Sequence, residues 1–191
     1  MEMFEYVAVL TSIIIGLGMA QLLLGLTRLI QNPEQAKPYW IHLGWVLYMF
    51  IFSVFWWWWE FRLGSIMVWT FGVYLFVILY AFLVFLLCAL LFPISFSGHD
   101  GFKGYFYAKR AWFFGVFILM QLIDVGDAVI KGMDYFYSLG LQYPISQSIL
   151  VAISIAAIFT RNEKFHSIFV LAALAYMIFS GFSFYETVSQ A

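Results

Sequence analysis

Charge is what this sequence has least of. Asp, Glu, Lys and Arg make up only 10% of its 191 residues, against roughly a quarter in a soluble domain. A chain so poor in charge has no polar coat to present to water. With 65% hydrophobic residues and a mean hydropathy of +0.95, the composition belongs to a polytopic membrane protein of the all-α class. The net charge of −1 supplies no basic surface for a phosphate backbone, which argues against nucleic acid as a partner. Cysteine is almost absent too. Cys88 stands alone in an apolar run, which excludes an internal disulfide and a cysteine metal cluster and reads as a small buried filler. The four prolines all stand at the edges of apolar runs. The opening MEMFEYVAVL has no basic region and carries Glu2 and Glu5. The run behind it is too long for a signal peptide and has no small-residue cleavage site, so it is expected to be a retained first span.

What is present is six apolar stretches, predicted as spans over 4–30, 38–60, 65–92, 110–131, 143–160 and 165–186 of a single transmembrane domain, 1–191. In the first, Glu5 and Arg28 stand about 34 Å apart along a helix, just over a hydrocarbon core of about 30 Å. Pro38 and Pro144 suit helix starts, and Gln31-Asn32-Pro33 suits a turn. The third span has no charge at all and is expected to face lipid. The connection 94–109, with Gly98, Gly101 and Gly104, reads as flexible.

Arg28, Lys37, Lys103, Lys109, Arg110, Arg161 and Lys164 fall on one side of this topology, and only Arg62 and Lys131 on the other. The positive-inside rule then makes the first side cytoplasmic and puts both termini outside, in a plasma membrane of the bacterial inner-membrane type.

The fourth span carries the chemistry. At 100° per residue, with Asp124 at zero, Gln121 lies near +60°, Asp127 near −60° and Lys131 near −20°, about one shared face. If Arg110 marks the inner boundary, Asp124 lies about 21 Å along the axis and Asp127 about 26 Å. A carboxylate at such depth costs about 2.5–3.5 kcal/mol and must face the bundle interior or a wet cavity. The functional reading is a cation or proton site at Asp124, with Asp127 and Gln121 beside it. The plain alternative for Asp127 is an i,i+4 pair with Lys131. Glu5, Glu60 and Glu186 end three other spans on the outer side and suggest an acidic mouth. Helix-end acids also simply mark the water boundary, and no metal site is expected.

The remaining features have ordinary readings. Trp56, Trp57, Trp58 and Trp59 point in every direction around a helix and read as an interfacial belt, as do Trp40, Trp69 and Trp112. His42 and His166 have no spacing that marks a haem site, so no cofactor is expected. His99-Asp100 comes with no nucleophile or phosphate motif, so an enzyme is not expected. Ser12, Gly16 and Ala20, like Ser148, Ala152 and Ala156, repeat every four residues and suggest close helix packing or an oligomer seam. Gln21 and Gln147 are expected to hydrogen-bond across helices. The leading expectation is a small channel or transporter subunit for a cation or proton, forming a homo-oligomer in the lipid bilayer. The alternatives are a membrane anchor or effector that docks a cytoplasmic protein, and a pocket for a lipid, quinone or porphyrin.

Overall fold

A computed structural model describes residues 3–31, 37–66, 68–93 and 101–188, with side chains to residue 182. The chain forms α1 (Met3–Gln31), α2 (Trp40–Glu60), a 3₁₀ turn (Phe61–Ser65), α3 (Phe71–Leu90), α4 (Gly101–Ile130), the short α5 (Met133–Ser138), α6 (Gln142–Phe159) and α7 (Glu163–Val188). Among the described residues there is no strand. Among the described residues, six helices are long and apolar enough to cross a membrane. In hydrocarbon every backbone polar group must be satisfied internally, which only helices achieve in a chain of this pattern.

Helices α1, α3, α4 and α6 pack side by side in that order, and α2 and α7 pair across them. The first turns of α1, α3 and α6 and the last turns of α2, α4 and α7 lie at one end of the bundle, called here the terminus-bearing end. The α1–α3 seam runs along Thr11, Ile15, Gly18, Leu22 and Gly25. A methyl group on Gly18 would stand 3.3 Å from the Phe85 backbone, so glycine sets that helix separation. Trp45 is the centre of the core, with ring centroids of Phe113, Phe114, Phe117 and Phe169 between 5.1 and 5.6 Å away. Edge-to-face contacts of this kind add to the stabilisation that burial gives.

Several expectations change. The third apolar run does not start at residue 65: the 3₁₀ turn and an extended stretch precede α3, and Thr70 caps its N-terminus by accepting from the Val73 N–H at 3.2 Å. The charge-free α3 is not chiefly a lipid-facing helix, since it packs on both α1 and α4. The fourth helix begins at Gly101, nine residues before the expected boundary, because Phe102, Tyr105 and Phe106 bury an apolar face there. At about 1.5 Å per residue its 30 residues span about 45 Å. Residues 94–100, with His99-Asp100, lie outside the described residues.

Both small-residue stripes face outward. Gly16, Ala20, Ser148, Ala152 and Ala156 are exposed and Ser12 is half-buried, so neither stripe packs the core. Gln21 is exposed as well, beside the buried Gly18–Leu22–Gly25 seam. Cys88 is buried, as expected. The tryptophan run divides by direction. Trp56 is fully buried against Tyr80, whereas Trp57 and Trp58 are exposed.

Candidate functional site

The polar face of α4 points into the bundle, and Gln121, Asp124 and Lys131 on it each find a partner from another helix. Tyr80 on α3 donates its hydroxyl to Asp124 Oδ1 at 2.6 Å. On α6, the Tyr143 hydroxyl and Gln147 Nε2 donate to Asp124 Oδ2 at 2.7 and 2.6 Å. Gln147 Oε1 in turn accepts from Gln121 Nε2 at 2.7 Å. Three donors on two oxygens satisfy a carboxylate, which can only accept. Asp124 is therefore anchored between α3, α4 and α6 by neutral groups.

One turn toward the terminus-bearing end, Lys131 Nζ bonds Glu60 Oε1 at 2.9 Å and Asp127 Oδ2 at 2.5 Å. All three side chains are at most 5% exposed. Lys131 follows the last turn of α4, where the helix dipole favours a cation. Asp127 thus makes the i,i+4 pair that its spacing allows. Glu60 was expected at an open acidic mouth. Instead it is buried, because Lys131 reaches across to the end of α2. The other carboxylate oxygens, Glu60 Oε2 and Asp127 Oδ1, are buried without a hydrogen-bond partner. Two carboxylates thus share one ammonium, with a third carboxylate, Asp124, close by.

These groups line a partly open cavity of about 60 Å³, where Glu60, Gln121, Asp124, Asp127, Lys131 and Gln147 meet tyrosines and apolar side chains such as Phe52 and Met177. One water needs about 10–15 Å³ measured this way, so the chamber has room for several. Its roof is α5, set between Gly132 (φ +123°) and Gly140 (φ +68°), with Tyr135 and Leu139 facing in. The Arg62 guanidinium lies 4.5 Å from the centre of the Tyr135 ring. Burial raises the Tyr135 hydroxyl above its usual pKa, which keeps it a neutral donor. Below the chamber the Trp45 cluster closes the bundle with apolar rings. To one side Trp59 separates the chamber from an apolar crevice of about 630 Å³ lined by Phe4, Val54, Phe55, Trp57, Trp58 and Phe61 among others.

Of the residues singled out in the sequence, Gln121, Asp124, Asp127 and Glu60 meet in this chamber. Glu5 does not: it is exposed at the start of α1. Glu186 falls in the last turns of α7, and its side chain is outside the described residues. Among the described residues no three His, Cys, Asp or Glu side chains are grouped to hold a metal. His42 Nε2 meets the Leu91 carbonyl at 2.5 Å and His166 Nε2 the Thr160 carbonyl at 3.1 Å, so both rings are tied to backbone. Missing from the sequence reading were Tyr80, Tyr143 and the reach of Lys131 to Glu60. One signal existed. Tyr80 is a hydroxyl in mid-span of a run without charge, a place where an interfacial role is excluded. No family model, curated protein or solved structure matches this chain.

Proposed function

We propose that this polytopic membrane protein is a small channel or transporter subunit that handles a cation or proton at an intramembrane acidic site. The observation that carries this reading is the excess of carboxylate over ammonium around a chamber large enough for water. Packed hydrophobic residues of the same volume would hold helices together at no electrostatic cost, so a purely structural role accounts poorly for three buried acids. The basic residues support a location in a bacterial-type inner membrane with the terminus-bearing end outside. Of the two basic residues at that end, Lys131 is neutralised within the cluster and Arg62 lies on the Tyr135 ring. The outward stripes on α1 and α6 favour assembly into a homo-oligomer.

The test is ion flux in proteoliposomes. Asp124→Asn exchanges one acceptor oxygen for a donor within the three-donor cradle and is expected to abolish or shift the flux. Wild type and variant equally silent under every gradient and voltage would overturn the reading.

The crevice beside Trp59 favours a second reading. Its volume lies in the range of about 300–1,000 Å³ typical of ligand pockets, and its lining is aromatic. A lipophilic molecule bound there would co-purify and appear in native mass spectrometry, without any dependence on Asp124.

A further inference from the structure

Resting on the transport reading above, we propose that the ion handled in the chamber is a proton, held between Glu60 and Asp127, with Lys131 as a fixed counter-charge and Asp124 as a positioning group. Four observations converge. Asp124 has both oxygens occupied, and a cation binding to it would have to displace Tyr80, Tyr143 or Gln147. Glu60 and Asp127 each use one oxygen on Lys131 and keep the other buried and unpartnered. The two carboxylates bond the same Lys131 nitrogen, which holds them within a few ångströms of each other. Finally, both line the chamber, whose volume admits water beside them.

Like-charged carboxylates at such range share a proton rather than ionise together. The step balances simply. A hydronium gives its proton to one free carboxylate oxygen and leaves as water; the new O–H donates to the other carboxylate. The triad then holds one positive and one negative charge. Release runs in reverse to a chamber water.

A metal cation fits less well. It would have to sit beside the Lys131 ammonium, and hard cations take six or more oxygen ligands. The other side chains with polar hydrogens around the pair are the phenols Tyr48 of α2, Tyr135 of α5, Tyr143 of α6 and Tyr176 of α7, with Tyr80 of α3 on Asp124. Arg62 is engaged on the outer side of Tyr135. Asp124 and Lys131 are thus the charges that tune proton uptake.

The experiment is a pH titration by infrared difference spectroscopy on the protein in lipid nanodiscs, paired with proton, sodium and potassium flux in proteoliposomes. A carboxylic-acid C=O band that titrates apart from those of exposed carboxylates such as Glu5, Asp134 and Glu163 is expected. It should vanish in both Glu60→Gln and Asp127→Asn, since each leaves a single carboxylate paired to Lys131. It should remain in Asp124→Asn with its midpoint moved to lower pH, because a nearby negative charge has gone. The conservative swaps Glu60→Asp and Asp127→Glu guard against misfolding and should shift the band while keeping it. No such band in wild type, a band indifferent to Glu60 and Asp127, or one lost only in Asp124→Asn overturns the proposal. Flux of sodium or potassium with no such band keeps the transport reading and rejects the proton. The band without flux of any ion keeps the proton site and rejects transport.

Discussion

Lys131 pairs with two buried carboxylates at once, so its loss strands both. Removing one partner of a buried ion pair costs about 3–5 kcal/mol, mostly from the charge left unpaired. Lys131→Met is therefore expected to destabilise the protein by about that amount, read as a lowered unfolding midpoint in detergent. Asp127→Asn leaves the Glu60–Lys131 pair intact and should cost clearly less. A Lys131→Met variant as stable as wild type would show that the two carboxylates do not depend on the ammonium. At Asp124, Tyr143→Phe removes one of three donors to the carboxylate and is expected to cost about 1.5–3 kcal/mol in the same assay. The α4 members of this site were legible because the helical period alone puts Gln121, Asp124, Asp127 and Lys131 on one face. Their partners were legible only in part. Gln147 is expected from the sequence to hydrogen-bond across helices and Glu60 to stand at the same end, but Tyr80 and Tyr143 are unmarked, because local spacing carries no information about which helices become neighbours.

Helix packing in this bundle depends on where small residues face, and apolar sequence is ambiguous on that point. Lipid tails are as apolar as a protein core, so hydrophobicity cannot separate a buried helix from a lipid-exposed one. That is why α3, free of charge, read as peripheral yet lies between α1 and α4. It is also why the Ser12–Gly16–Ala20 stripe was chosen over the neighbouring face. The seam in use includes Gly18 and Gly25, where side chains of α1 would collide with Phe85 and Phe92. Gly18→Leu is expected to force α1 away from α3 and cost about 1–3 kcal/mol by overpacking. Gly16→Leu, with nothing within 4 Å of its added carbon, should leave the monomer's unfolding midpoint unchanged. Equal losses in both variants would mean that the seam lies elsewhere.

On the scale of the whole molecule, six spans were legible because length and hydropathy are set directly by the bilayer. The asymmetry between the two ends was not, because it arises only when helices meet. One half of the bundle holds the polar chamber under α5; below it the Trp45 cluster fills the cross-section with aromatic rings. Water-soluble reagents should therefore enter from the terminus-bearing end and stop at the chamber floor. Ser180 lines the chamber. Ser154 lies on α6 seven residues, or about 10 Å, beyond Gln147 and is fully buried. The native thiol of Cys88 is buried as well and gives a low background. A charged methanethiosulfonate is thus expected to label Ser180→Cys from the terminus-bearing side only, and to leave Ser154→Cys unlabelled from either side. Labelling of Ser154→Cys from the opposite side, under an imposed proton gradient, would mean that the aromatic floor opens and that the chamber alternates between the two faces of the membrane. Labelling of neither would mean that α5 seals the chamber from both.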